Sequence, residues 1–263
     1  MKRYLRWYRA VFTMSLNNFL AYRMDAVITT IFSSGVWTLF NIFSIYLVTL
    51  RVPSAYGWSR GELILMSCIY NIIVGIFSLF LGKGVRQLSD FVSTGRFDLF
   101  LLQPIDAQLN ESLHAASINS GFRTVLGSIM AAVVVVAYAI PIAPLNILFF
   151  IYGLFCSVLL LYSLVFILNT FVIWSPKLDN INELFYTLRS LGRYPRNVFR
   201  QLGELGFVIV SPFVIVLAGP AKLLLGKSGW YDTLELTLLA FVTFVISRVF
   251  WKYALRHYTS ASS

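Results

Sequence analysis

TVLGSIMAAVVVVAYAIPIAPLNILFFIYGLFCSVLLLYSLVFILNTFVIWSP, residues 124–176, runs without a single charged side chain. It is too long for one membrane helix, which needs about 20 apolar residues to cross ~30 Å of hydrocarbon. The signal Ile140-Pro141-Ile142-Ala143-Pro144 divides it. Proline removes a backbone donor and disfavours helical geometry in the residue before it. The run therefore reads as two spans, 124–140 and 146–173, joined by a very short turn. Lipid offers no partner for a backbone N–H or C=O, so a crossing segment must be a helix or part of a closed barrel. The two-residue alternation of a barrel strand is missing here.

Working outward, residues 26–50 and 63–81 are also uncharged and supply two earlier spans. Residues 205–221 give a short fifth span that Pro212 and Pro220 are expected to bend or break. Residues 233–250 give a sixth. Its Glu235 and Arg248 are expected to reach the two interfaces, because a charge at the bilayer centre costs ~2.5–3.5 kcal/mol. The fold expected is all-α and integral to the membrane, with six transmembrane helices forming a single domain.

Composition agrees. Of 263 residues, 58% are hydrophobic and 12% charged, against about 25% charged in soluble domains. That balance excludes a soluble enzyme, a disordered chain and a disulfide-stapled module. Six spans put both termini on one side. With the termini cytoplasmic, Arg51, Arg60, Lys222 and Lys227 lie outside and the other seventeen of the 21 basic residues lie inside, as positive-inside topology requires. The net charge of +10 thus reflects topology rather than nucleic-acid binding. Cys68 and Cys156 lie in apolar stretches and read as small buried hydrophobes. His114 and His257 are too few for a metal cluster.

Four segments outside the span pattern attract attention. In residues 1–24, Leu5, Tyr8, Phe12, Leu16, Phe19 and Leu20 share one helical face, opposite Arg6, Arg9, Thr13 and Asn17. This predicts an amphipathic elbow helix lying along the cytoplasmic interface. Residues 83–123 form the largest polar connection, punctuated by Gly84, Gly95 and Pro104, with GRFDLFLLQPID at 95–106. Phenylalanines and leucines beside Asp98 and Asp106, too charged for lipid, point to a partner surface or to packing back on the bundle. The connector 177–204 is basic, with Arg189, Arg193, Arg196 and Arg200, which topology alone explains. The stretch from Ser211 to Pro220 is a candidate pathway element, since broken helices persist only inside protein or beside a cavity.

Other chemistries find little support. Gly226-Lys227-Ser228 matches the end of a phosphate-binding loop, but Ala221 stands where its first glycine belongs and no strand precedes it. No HExxH or GxSxG motif occurs. Asn41, Asn71 and Asn169 are lone polar residues of the kind that hold membrane helices together.

Taken together, the basic amphipathic start, Ala21-Tyr22-Arg23-Met24-Asp25, the GRFDLFLLQPI segment, Tyr194-Pro195 and Gly219-Pro220-Ala221-Lys222-Leu223-Leu224-Leu225-Gly226 resemble a known family over nearly the whole chain. They resemble the membrane subunit of an ATP-binding-cassette exporter of the type-2 permease class, which includes daunorubicin-type exporters. More narrowly, the likeness is to a bacterial branch whose permeases often occur as two different subunits beside one ATPase. The resemblance implies a permease of the bacterial cytoplasmic (inner) membrane, with no catalytic, metal or cofactor site. ATP and Mg would be held by two partner ATPase subunits, and a second permease, similar or identical, would complete the assembly. It further implies a coupling helix near residues 85–106 that docks on the ATPase, with Arg96, Phe97, Asp98, Leu102, Pro104 and Asp106 as contacts, and Pro212 and Pro220 beside the pathway. Transport would be export of a hydrophobic or amphipathic compound by alternating access. The competing expectation is an ion-coupled secondary transporter, which needs an ionisable site within the membrane.

Overall fold

The computed structural model describes residues 2–21, 23–51, 54–55, 57–174, 187 and 203–259. The basic connector with Arg189, Arg193, Arg196 and Arg200, and the Tyr194-Pro195 pair, lie outside the described residues. The chain begins with α1 (Lys2–Ala21) and continues with α2 (Ala26–Arg51), which includes a π-helical stretch over Thr30–Val36. A two-residue hairpin, β1 (Ser54–Ala55) with β2 (Trp58–Ser59), leads into the 34-residue α3 (Arg60–Ser93). Then come α4 (Phe97–Leu101), α5 (Ala107–Leu113), α6 (Ile118–Ala137), α7 (Pro144–Ile173), α8 (Gly203–Leu224) and α9 (Trp230–Arg256).

Among the described residues five helices, α2, α3, α6, α7 and α9, are long and apolar enough to cross a membrane, as expected of an integral membrane protein. Within α8, Ser211–Leu224 adds a shorter apolar helix. The expected break at the prolines is absent, because α8 runs through both Pro212 and Pro220. Each proline removes one N–H of the ladder, yet the helix is held from outside. Pro220 is buried, and Gly153 of α7 lies so close that an added Cβ would sit 3.4 Å from the Pro220 Cα.

Small residues set the helix spacing elsewhere too. A Cβ on Gly75 of α3 would fall 2.7 Å from the Thr124 backbone nitrogen of α6, and one on Gly127 would fall 3.3 Å from the Cys68 carbonyl. Such close approach is how membrane helices gain dispersion contacts when lipid tails are as apolar as leucine. α3 forms the centre of the bundle, with Leu65, Met66, Ile69 and Ile73 fully buried.

The connection expected over 83–123 begins differently from its sequence reading. Gly84 does not end a helix; α3 continues through it to Ser93. Its missing side chain serves packing, since a Cβ there would meet the Ser112 carbonyl oxygen of α5 at 2.6 Å. Gly95 is the true terminator. Its φ of 71° lies in the left-handed region that L side chains avoid, and its N–H donates to the Val92 carbonyl at 3.3 Å.

Candidate coupling site

The end of α3 and the short helices α4 and α5 form one compact unit against α7 and α9. Its apolar anchor is Phe97, which is fully buried. The Phe97 ring meets Trp251 edge-on at 5.8 Å and Tyr258 at 5.2 Å, and Trp251 in turn meets Phe166 of α7 at 4.9 Å. Edge-to-face aromatic pairs of this kind contribute ~0.5–1.5 kcal/mol beyond their buried area. A second aromatic group holds the turn. His114 lies 5.1 Å from the rings of both Phe91 and Phe100, its Nδ1 2.7 Å from the Glu111 carbonyl and its Nε2 2.9 Å from the Gln87 carboxamide oxygen. Burial pulls the His114 pKa below the ordinary histidine value, so the ring is neutral near pH 7.

The polar anchor is Asp106. Its carboxylate accepts the Leu109 N–H at 3.1 Å, capping α5, and accepts two Arg248 guanidinium bonds at 2.7 and 2.8 Å. These bonds keep the carboxyl below its usual pKa. Arg248 also donates to Gln108 at 3.1 Å; Gln108 donates to the Tyr162 hydroxyl at 3.1 Å, and Tyr162 lies 2.8 Å from the Ser112 hydroxyl. Three separate elements, α5, α7 and α9, therefore share one hydrogen-bonded chain. Arg248, expected at a membrane interface, is paired with Asp106 of the 83–123 connection.

Glu111 is the unusual group here. It is fully buried, and neither carboxyl oxygen has a hydrogen-bond partner. Desolvation pushes its pKa up to about 8, so it carries a proton at neutral pH.

Outside this anchored unit a crest of side chains is bare. Leu102 is 80% exposed and Leu99 62%, with Leu101 and the exposed Arg96, Gln103 and Pro104 beside them. Of the expected contacts, Arg96, Leu102 and Pro104 lie on this crest. Phe97 does not, because its ring is spent inside the chain. Asp98 is half-buried and accepts a bond from the Tyr258 hydroxyl at 3.0 Å, and Asp106 is committed to Arg248. The elbow helix α1 touches the unit at two points. Tyr4 and Trp7 line a 180 Å³ crevice with Gln103, Pro104 and Ile105, and the Ser15 hydroxyl accepts the Ala116 N–H at 3.2 Å. Tyr8, Phe12 and Phe19 are half-buried, while Leu5, Leu16 and Leu20 of the expected apolar face are exposed.

Sequence reasoning missed that Gln108, Tyr162, Ser247 and Arg248 form one network, since they are scattered over three elements, and it missed the buried Glu111 beside them. It also placed Arg123 at a loop boundary. The structure buries Arg123 in the bundle, where it donates to the Asn71 side-chain amide oxygen Oδ1 at 2.9 and 2.7 Å and stacks 5.5 Å over the Tyr70 ring. Asn71 thus does act between helices. The lysine of the apparent phosphate loop, Lys227, donates to Glu62 at 2.6 Å and to the Gly57 carbonyl at 3.2 Å. Among the described residues no group of His, Cys, Asp and Glu could hold a metal ion.

A family model described as "ABC-2 family transporter protein" matches residues 35–262, which include every element from the later part of α2 onward. No curated protein matches the chain.

Proposed function

We propose, from the premise that this chain belongs to the ABC-2 transporter family, that it is the permease half of an ATP-driven exporter coupled through its α3–α5 unit. Membership makes it a transport component of an ABC transporter, associated with an ABC ATPase. The observation that carries the finer reading is the bare leucine crest, Leu99 to Leu102, mounted on a unit anchored to α7 and α9. Apolar side chains exposed beside a polar segment favour a protein partner. A crest latched to two spans would pass an ATPase movement directly into the bundle.

In this mechanism two ATPase subunits close on ATP, push the crest, and the latched ends of α7 and α9 follow as rigid bodies. A second permease, similar or identical, faces this one, and an amphipathic or hydrophobic compound leaves between them. Residues 205–221 complete a six-span topology with both termini on the ATPase side, in the bacterial inner membrane. The elbow helix α1, resting against Gln103 and Pro104, rides on the same movement.

The test replaces Leu99 and Leu102 together by Asp in the native complex. Both side chains are exposed, so folding survives, and the expected result is loss of ATPase co-purification with an unchanged melting midpoint of the permease. An ATPase that stays bound to this double variant sinks the docking assignment.

A further inference from the structure

At the end of the bundle opposite the coupling unit, α2, α3 and α6 diverge and leave a groove of about 580 Å³. Its body is apolar, walled by Val36, Phe40 and Phe43 of α2 and Val133 of α6; at its head stand two tyrosines, Tyr46 and Tyr138. From Tyr46 to Val36 the groove follows ten residues of helix, about 15 Å at 1.5 Å per residue. It opens sideways. Phe40, Phe43 and Val133 are each more than half exposed, so a ligand enters from the bilayer without crossing water.

The head of the groove is positively charged. The Arg60 guanidinium sits 4.7 Å over the Tyr46 ring, and its Nε is buried with no hydrogen-bond partner. Nearby Lys227 is neutralised by Glu62 and Lys222 by Asp232. Arg60 makes no ion pair among the described residues. Tyr138 is fixed beside it because Gly61 leaves no Cβ; one added there would lie 2.7 Å from the tyrosine Cγ. An arginine that makes no ion pair among the described residues, at one end of an alkyl-lined slot, matches an anionic amphiphile in shape and in charge.

We propose that this groove is a binding site for an acidic phospholipid of the surrounding bilayer, one acyl chain lying between α2 and α6 and the phosphate at Arg60. The site is independent of the ATPase-coupling reading, and neither stands or falls with the other. A lipid seated there fills a gap that α2 and α6 do not close by themselves. It also gives Arg60, which makes no ion pair among the described residues, a counter-ion.

The purified complex is reconstituted in phosphatidylcholine vesicles doped with a photoactivatable-acyl phosphatidylglycerol, or with the phosphatidylcholine probe of the same chain. After irradiation, adducts are mapped by mass spectrometry. The expected result is adducts concentrated on residues 36–46 and 130–138, about fivefold denser from the glycerol lipid, the preference one basic side chain confers at a membrane surface. Arg60→Gln should bring the ratio to one. Val133→Trp, at an exposed position, should fill the slot and remove the adducts even if Arg60→Gln fails to fold. Equal labelling by both probes, or adducts as dense on the exposed Phe241, Val245 and Val249 face of α9, would mean ordinary annular lipid and overturns the proposal. Efficient disulfide cross-linking between two permease copies carrying Phe43→Cys would likewise overturn it, making the groove a helix–helix interface.

Discussion

The two ends of the helical bundle are held by different physics. At the end that carries the proposed coupling unit, Phe97 is enclosed by Trp251 and Tyr258, and Asp106 ties α5 to Arg248, so buried aromatics and a shared hydrogen-bond chain join three elements. At the opposite end, Lys227–Glu62 and Lys222–Asp232 are partly exposed pairs between neighbouring segments, and a groove stays open beside them. The aromatic cluster is shielded from water, whereas all three ion pairs, Asp106–Arg248 included, are partly exposed and open to screening. What distinguishes the first end is the buried ring cluster and the hydrogen-bonded chain that tie it to α7 and α9; at the second, ion pairs stand beside an open groove.

The comparison is broken most directly at Phe97. Phe97→Ala should cost about 3–5 kcal/mol, as for a buried aromatic in a packed core. It should lower both the melting midpoint and ATP hydrolysis by the reconstituted complex. A loss of ATPase binding with unchanged stability would instead place Phe97 at the partner surface. Next in size is Glu111. Unfolded, it titrates near 4.5; folded, near 8. Between those values the unfolded chain has released a proton that the folded chain keeps, so stability falls as pH rises through that window and levels off above it. Glu111→Gln should remove this slope and stabilise the protein at pH 8 by on the order of 3 kcal/mol. His114 has the opposite sign. Its lowered pKa means stability is lost as pH falls below 6.5, and this slope should persist in the Glu111 variant. Melting midpoints from pH 5 to 9 read both.

Smaller effects sharpen the contrast. Asp106→Ala or Arg248→Ala should each cost about 1–2 kcal/mol, since either leaves a half-buried charge. They should uncouple ATP hydrolysis from transport while the ATPase stays bound, and the exchanged pair Asp106→Arg with Arg248→Asp should recover part of the loss. Lys227→Ala should cost less than about 1 kcal/mol, an effect that disappears in high salt. If the Lys227 and Arg248 variants proved equally damaging, the two ends would not differ as argued.

Hydropathy reads the spans readily, because lipid punishes any uncharged-run error at every residue. The coupling site was legible only as a place. Its GRFDLFLLQPID segment stands out as apolar residues among charges, but nothing in the string separates Phe97, which points inward, from Leu102, which points outward. Helical phase over a five-residue helix is too short to decide it. Gly84 shows the same limit. A glycine before a polar stretch reads as a break, yet it marks where α5 presses on α3.

From the sequence alone followed that this chain is helical and lives in a membrane, and where its polar connections fall. These depend on local composition and on the cost of exposing backbone or charge to hydrocarbon, which each stretch bears by itself. Only the tertiary structure decided that Asp106 binds Arg248 across 142 positions, that Glu111 is buried without a partner for its carboxyl oxygens, that α8 stays whole through its prolines, and that a groove opens between α2 and α6 below Tyr46 and Tyr138. Those facts arise from which faces meet, and a meeting of faces is a property of pairs of segments that no single segment carries.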